Sequence, residues 1–199
     1  MTVAKKSRIC TTPPTSYSES FECEDSLAGA VVNGLVSIDR ADPFKGDASL
    51  KLARDKIDMD VQVTSFVTEA FPVARGRWSL SVATRAALHS PDSSYCGTVR
   101  FEALDASGAV VTRIELAVAT GHSAWTLHRK PVELMADVVA GRFVIRLEKT
   151  YGEFHVDELA AAYLGPSLRT VSAIKYATKA VGNLFFPGDP LRLTPLAKA

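Results

Sequence analysis

Histidine is the side chain whose chemistry is most easily found from spacing, because imidazoles at short intervals bind metal ions or transfer protons. The chain has four histidines: His89, His122, His128 and His155. No two of them show the spacing of a metal-ligand motif such as HxH or HxxxH, and none has an evident serine or cysteine partner. Surface or turn histidines are therefore expected, and no metal-dependent or nucleophilic enzyme is indicated.

Carboxylates are the second possible source of chemistry, since a glycoside hydrolase needs two of them at a defined separation. Glu153, Asp157 and Glu158 are close in sequence. Glu153 and Asp157 flank a segment whose apolar residues are needed for packing, which argues against a catalytic pair. No glycine-rich phosphate loop is present either, so no catalytic motif is evident in the sequence and a non-catalytic module is favoured over an enzyme.

The composition excludes several classes of partner. The 199 residues are 47% hydrophobic and 23% charged, and 23 basic against 22 acidic residues give a net charge of +1. Such a chain has no long-range field to attract nucleic acid or an anionic membrane. No apolar run approaches the roughly 20 residues that cross a bilayer, and Met1 to Tyr17 lack the apolar core of a secretory signal.

The cysteines do not form a metal-binding pattern. Cys10, Cys23 and Cys96 have no metal-ligand spacing, and an odd number cannot pair completely within the chain. A bridge between Cys10 and Cys23 is one interpretation. Free or buried thiols are the other.

Alternation of apolar and polar residues with a period of two predicts the elements that must position any site. The pattern is clearest in Arg77–Leu88, where Trp78, Leu80 and Val82 share one parity. Similar runs lie at residues 30–40, 48–52, 59–74, 98–105, 110–119, 125–134, 141–151 and 153–164. Residues 30–40 are interpreted as a strand pair or one bulged strand around Asn33-Gly34, a dipeptide suited to a tight turn. A single sheet cannot cover so many apolar faces, so the predicted fold is all-β, an antiparallel two-sheet β-sandwich.

The domain organisation is read from where this alternation begins and ends. Residues 1–18 are polar and aperiodic and are interpreted as a disordered leader or linker. Residues 19–165 form the β-sandwich domain. Residues 166–199 are interpreted as a linker and the first strand of a following, absent module, with an apolar cluster at Leu184, Phe185 and Phe186 that favours an interface.

Six segments occur in a consistent order across residues 20–165. They are Ser20-Phe21-Glu22, Lys45 to Leu52, Gly76 to Ser81, Val99 to Gly108, Trp125, and Phe154 to Leu159. In this order they resemble the jelly-roll, galactose-binding-like carbohydrate-binding modules of multidomain glycoside hydrolases. The resemblance implies a non-catalytic accessory module that binds a polysaccharide or oligosaccharide beside a catalytic domain, in an extracellular or periplasmic location, although the sequence shows no signal peptide.

Two other functions stay open at this point. One is a structural β-sandwich that packs against a catalytic domain and binds no sugar. The other is a small jelly-roll enzyme, which for a lyase would need Tyr, His, Arg and Gln on one concave face. No such set is evident from the sequence.

The resemblance also implies a structural calcium ion where the first and last strands meet. Its ligands would be Glu22, Asp157 and backbone carbonyls near Lys45 and Asp47. Carboxylate and carbonyl oxygens are the ligands that Ca²⁺ prefers. The alternative is that Glu22 and Asp157 cap turns or pair with basic side chains.

Sugar rings bind to aromatic side chains that have polar groups beside them. Trp78 has the inward parity and Trp125 corresponds to a core position in these modules, so both are expected to pack inside. The predicted ligand contacts are His89 and Tyr95, in the loop after the central strand, and Tyr151, in a loop at a strand end.

Charged residues of the outward parity could form a ladder across neighbouring strands. They are Arg85, Arg100, Glu102, Arg113, Glu115, Arg146 and Glu148. Such a ladder could bind an acidic or highly hydroxylated sugar, and Arg100 is the predicted ligand contact within it. Alternatively the charges only solvate the face, with each pair contributing about 0.2 to 1 kcal/mol.

Overall fold

Short and long β-strands account for almost all regular structure in the computed structural model, which describes residues 16–55, 63–89, 96–135, 137–167, 174–177 and 192–195. The strands are β1 (Tyr17–Glu19), β2 (Val31–Asn33), β3 (Leu35–Asp39), β4 (Ser49–Arg54), β5 (Val63–Val67), β6 (Phe71–Pro72), β7 (Gly76–His89), β8 (Cys96–Leu104), β9 (Val110–Ala119), β10 (His122–Leu134), β11 (Ala140–Glu148), β12 (Tyr151–Gly165), β13 (Ile174–Ala177) and β14 (Arg192–Pro195). One 3-10 helix spans Glu24–Leu27. None of the described residues forms a helix long and apolar enough to cross a bilayer.

Strands β1 to β12 form two antiparallel sheets. Sheet A has the order β10-β7-β12-β4-β3, and β1 also pairs with β12. Sheet B has the order β2-β5-β11-β8-β9, and β6 also pairs with β11. The predicted all-β two-sheet sandwich is confirmed. The segment at residues 153–164 lies within β12, and the strand at residues 77–88 lies within β7 in the middle of sheet A.

The core lies between the inner faces of the two sheets. On β7, Trp78 and Leu80 are fully buried, as their parity predicts. Phe154 on β12, opposite Ala86 of β7, is also fully buried, and on sheet B Phe101 and Phe143 meet edge to face with ring centroids 5.4 Å apart. Each such side chain contributes about 1.5 to 3 kcal/mol when it is fully buried. The inner faces are thereby committed to packing, and only the outer faces are available for a site.

Gly34 carries the chain from one sheet to the other. A strand lies on each side of Asn33-Gly34, but the two strands do not form a hairpin there, because β2 pairs with β5 in sheet B whereas β3 pairs with β4 in sheet A. Gly34 has φ 82°, and a Cβ there would lie 2.7 Å from Thr64 Oγ1. Asn-Gly indicates a positive φ, which suits a corner between sheets as well as a hairpin.

The chain divides into two units, Met1–Pro166 and Ser167–Ala199. Within the second unit, β13 pairs with β14 in antiparallel register. The first strand of the first unit begins at Tyr17. The predicted leader, linker and following-module strand stay predictions, since Cys10 and the apolar cluster at residues 184–186 lie outside the described residues. Cys23 and Cys96 are free thiols.

Candidate functional site

A pocket of about 320 Å³ opens on the outer face of sheet A, over β7 and between β10 and β12. Its lining residues are Arg85, Ala86, Ala87, His122, Ser123, Ala124, Glu153 and His155. Glu153, Ala87 and His122 lie in one register row across the three strands. Because successive side chains of a strand alternate between faces, Arg85 and Ala87 point outward together. The small side chain of Ala87 leaves the space that its longer neighbours border.

A bulge in β10 lies beside this pocket, next to its lining residues Ser123 and Ala124. The register between β10 and β7 shifts between Ser123 and Thr126, so two residues of β10 have no partner on β7. Trp125 lies in this bulge and is half-buried on the outer face. The expectation from the resemblance that Trp125 packs in the core is therefore wrong, because its ring lies on the outer face against Arg85 and Phe44.

Trp125 contacts four residues from other elements. Its Nε1 donates a hydrogen bond to the carbonyl of Asp42 at 3.0 Å. The guanidinium of Arg85 lies 5.5 Å from the ring centroid, within the range of a cation–π contact. The rings of Phe44 and His155 lie 5.8 and 6.3 Å from it. Trp125 therefore connects the loop after β3 to the pocket on β7.

His155 lies at the bottom of this arrangement between two carboxylates. Its Nδ1 is 3.4 Å from Asp39 Oδ2, and its Nε2 is 3.4 Å from Glu153 Oε2. Burial lowers the pKa of His155, and the positive charge of Arg85 acts in the same direction, against the two carboxylates that raise it. His155 is only 2% exposed, so the expectation of a surface or turn histidine is wrong for this residue.

Two buried polar atoms at this site have no hydrogen-bond partner within the described part of the chain. They are Arg85 Nε and His155 Nδ1, the latter at ion-pair distance from Asp39 but without hydrogen-bond geometry. Buried polar groups in proteins are nearly always satisfied, so exceptions call for an explanation. Both atoms belong to pocket-lining residues, and a bound ligand is one explanation that their position supports.

The structure brings together two of the sequence-predicted ligand contacts, His89 and Tyr151. Their rings stack with centroids 4.7 Å apart and planes 7° from parallel. His122, which lines the pocket, stands edge-on to His89 at 5.8 Å. This aromatic row closes the end of the pocket away from Arg85. The third contact from the same loop, Tyr95, lies outside the described residues.

Arg100, the fourth predicted ligand contact, lies on sheet B and faces away from the pocket. It is 3.9 Å from Glu115, one pair in a set of cross-strand ion pairs on the outer face of that sheet. The predicted charged ladder is present there. Arg85 is not part of it, because β7 belongs to sheet A.

The four residues predicted to hold calcium meet at the loop between β3 and β4. Glu22 Oε2 accepts a hydrogen bond from the peptide N–H of Asp47 at 2.9 Å. Asp157 Oδ2 accepts hydrogen bonds from the peptide N–H groups of Phe44 and Lys45, both at 3.1 Å. Asp157 is fully buried, and burial raises its pKa although these amides act in the opposite direction.

These contacts resemble turn capping more than a cation site. A calcium ion needs carbonyl and carboxylate oxygens around it, whereas here peptide N–H groups point at the carboxylate oxygens. No group of three or more His, Cys, Asp or Glu suited to a metal occurs among the described residues. In this arrangement the residues do not fit Ca²⁺, and calcium binding stays a prediction from the resemblance.

The alternation of residues in β7 and β12 carries a signal for part of the site. On β12, Glu153 and His155 have the parity opposite to the buried Phe154 and Val156. Arg85 has the corresponding outward parity on β7. Pairing β7 with β12 would have placed these residues side by side. No comparable signal exists for Trp125, because its position depends on the bulge.

Comparisons with known proteins bear on the fold. No family model and no curated protein matches the chain. The enzymatically active domain of tailspike protein 4 of bacteriophage CBA120 is 10% identical with a TM-score of 0.56, covering 73% of this chain and 20% of that one. This chain thus spans only one fifth of that tailspike structure.

Two further similar structures come from bacterial xylanases. The CBM22-1 xylan-binding domain of Paenibacillus barcinonensis Xyn10C is 12% identical with a TM-score of 0.53, covering 78% of this chain and 98% of that one. The C-terminal family 22 carbohydrate-binding module of Clostridium thermocellum Xyn10B is 16% identical with a TM-score of 0.50, covering 76% and 94%. The chain has the fold of a carbohydrate-binding module. At these identities the likeness establishes the sandwich fold, and function has to be argued from the pocket.

Proposed function

We propose that the chain is a non-catalytic carbohydrate-binding accessory domain whose ligand site is the pocket on the outer face of sheet A. The observation that supports the proposal is a pocket whose lining residue Arg85 lies against the aromatic ring of Trp125, and whose lining residues Arg85 and His155 each have a buried polar atom without a partner in the described chain. Sugar rings present apolar faces and many hydroxyl groups, so they bind where an aromatic ring adjoins hydrogen-bonding groups.

The lining residues offer complementary hydrogen-bonding groups for sugar hydroxyls. Glu153 is an acceptor on one wall, and Arg85 and His122 supply nitrogen atoms at other points of the lining. Hydrogen bonds to ionised groups are about twice as strong as neutral ones, so Glu153 and Arg85 are the expected anchors. The flat floor at Ala87 leaves room for a ring between them.

The first ligands to examine are oligosaccharides of plant cell walls. One similar domain is named a xylan-binding domain, and another is a carbohydrate-binding module described through the role of its cleft in ligand binding. Both come from xylanases, so a polysaccharide and a linked catalytic domain are the proposed partners here. The galactose-binding-like subtype is part of the same proposal.

The decisive experiment titrates the full chain with xylohexaose, cellohexaose, mannohexaose and laminarihexaose by calorimetry, with product analysis to detect any cleavage. The matched variants are Arg85→Ala and Arg100→Ala, since both arginines lie on outer faces with side chains 24% and 31% exposed. We expect one glycan class to bind, Arg85→Ala to weaken binding at least tenfold, and Arg100→Ala to leave it unchanged. Equal effects of both variants, or cleavage of the glycan, would contradict the proposal.

A structural module that binds no sugar is the second function that an observation favours. Val31, Val32 and Leu35 are exposed where the edge strands β2 and β3 meet through Gly34. Neighbouring exposed apolar residues often mark a protein interface. Absence of binding to every glycan in the titrations would favour this function. A jelly-roll enzyme is the third, since Tyr151, His89, His122 and Arg85 share the outer face of sheet A and supply three of the four residue types expected of such a lyase, without the glutamine.

A further inference from the structure

We propose that the pocket on sheet A selects uncharged glycans and rejects chains that carry uronic acids. This inference rests on the proposed function and names the substrate class of the same site. It is carried by the charges around the pocket, by the partner that each charge already has, and by the order in which an entering ligand would meet them.

Both cations beside the pocket are already paired with carboxylates. Arg85 forms an ion pair with Asp42, and Lys51, which neighbours His155 across β4 and β12, lies 3.5 Å from Glu153 Oε1. The positive charge of each cation is thereby offset by a carboxylate that is already there. Neither cation therefore offers an uncompensated positive charge to an acidic sugar, although Arg85 keeps N–H groups that can donate to sugar hydroxyls.

The remaining charge at the site is negative. Asp39 lies against His155, whose pKa is lowered, so the imidazole contributes no compensating charge at neutral pH. Arg85 and Lys51 give two positive charges, and Asp39, Asp42 and Glu153 give three negative ones. The described residues around the pocket thus carry a net charge of −1 by this count.

Exposure strengthens the effect of this balance. The side chains of Asp42 and Glu153 are 61% and 50% exposed, whereas those of Arg85 and Lys51 are 24% and 26% exposed. An entering ligand therefore meets carboxylates before it meets cations. Sugar hydroxyls can donate hydrogen bonds to these carboxylates, which is favourable. A uronate is repelled by them, and a unit charge about 6 Å away reduces affinity by roughly five- to hundredfold at the effective dielectric of a protein surface.

The test compares neutral and acidic hexasaccharides on the full chain. Xylohexaose, cellohexaose and mannohexaose are the neutral probes, and hexagalacturonate and hexaguluronate are the acidic ones, each titrated in low and high salt. We expect a neutral probe to bind and both uronates to bind at least fivefold more weakly in low salt. High salt should reduce the difference, because screening weakens repulsion between exposed charges.

The variant Asp42→Asn shows whether selectivity arises at this site. It releases Arg85 and should raise affinity for hexagalacturonate at least tenfold. Its matched control is Glu115→Gln, which changes net charge equally, since Glu115 is 53% exposed and pairs with Arg100 on sheet B.

The outcomes separate this inference from the function on which it rests. Wild-type binding of a uronate as tightly as a neutral probe overturns the selectivity while the carbohydrate-binding function stands. An equal gain in Asp42→Asn and Glu115→Gln overturns the local origin of the selectivity. Failure of all five probes to bind overturns the proposed function itself, and the selectivity with it.

Discussion

The outer faces of the two sheets have similar alternation in sequence but different side-chain chemistry in space. On sheet B, Glu102 accepts hydrogen bonds from Arg142 at 2.8 and 3.0 Å and from Arg113 at 3.2 Å. On sheet A, Arg85 and His155 line a pocket. Buried side-chain atoms without a hydrogen-bond partner occur on both sheets, at Arg85 and His155 on sheet A and at Thr98 and Glu148 on sheet B. The two faces therefore differ in that one carries a network of cross-strand ion pairs and the other a pocket.

Two local features cause this difference. On sheet A the central strand places Ala87 between longer side chains, and the bulge in β10 raises Trp125 at the rim. On sheet B, residues with long charged side chains stand opposite one another, as Glu102 does to Arg142 and to Arg113. Polarity alone therefore does not identify a binding face. A gap in side-chain length beside an aromatic ring is the feature that distinguishes sheet A.

The largest expected effect comes from removing Glu102, which pairs with two arginines on the outer face of sheet B. Glu102→Ala leaves Arg142 and Arg113 without their carboxylate. Because these arginine side chains are 36% and 66% exposed, the loss of their hydrogen bonds should lower the free energy of unfolding by about 2 kcal/mol. Glu153→Ala on the outer face of sheet A should lower the free energy of unfolding by less than about 1 kcal/mol, because the Glu153 side chain is half-exposed. Urea denaturation of both variants measures the difference. Equal losses would show that the two faces do not differ as described.

The second effect concerns the pocket itself. Ala87→Leu fills the space over the floor, so affinity for the glycan identified by titration should fall at least tenfold, or about 1.4 kcal/mol. Because the added side chain enters open space on the outer face of sheet A, the free energy of unfolding should change by only about 0.5 kcal/mol. Calorimetry and urea denaturation of the same preparation check both. Retained affinity would place the ligand elsewhere.

The third effect is a pH dependence on the outer face of sheet A. The pKa of His155 is lowered from 6.5, so the unfolded chain takes up this proton at a higher pH than the folded chain does. Stability from this residue is therefore complete above about pH 6.5 and declines as pH falls toward the lower folded pKa. In His155→Gln the free energy of unfolding should fall less steeply between pH 7 and 5 than in the wild type, by at most about 1.4 kcal/mol per pH unit.

Urea denaturation at steps of pH measures that slope. Curves at pH 8 provide the control, since any loss there reflects packing and should be independent of pH. An unchanged slope in His155→Gln would contradict the conclusion that His155 is buried as a neutral imidazole in sheet A.

The smallest effect is expected from calcium. Since peptide N–H groups point at the carboxylates of Glu22 and Asp157, adding Ca²⁺ or chelator should shift the melting temperature by less than about 1 °C. A larger rise would favour the calcium site implied by the resemblance, and Asp157→Asn should then abolish it. Thermal unfolding with and without chelator decides between the two.

Sequence periodicity predicted most of the fold because strands with one buried face must alternate. Trp78 and Phe154 were placed correctly by parity alone. The site was predicted less well. His89 and Tyr151 do adjoin the pocket, but Arg100 was grouped with Arg85 although the two lie on different sheets, since parity gives a face and not a sheet. Trp125 was misplaced because a bulge is a tertiary feature.

The single-residue corner at Gly34 also has a consequence for how the sandwich opens. β2 belongs to sheet B and β3 to sheet A, yet no linker separates them that could take up relative movement. Opening of the edge strand β2 should therefore favour opening of the edge strand β3. The amide hydrogens of Val32 and Val36 should then exchange with solvent as one cooperative unit. The two sheets are in this sense a single opening unit at this side, although they share no hydrogen-bonded strand pair there.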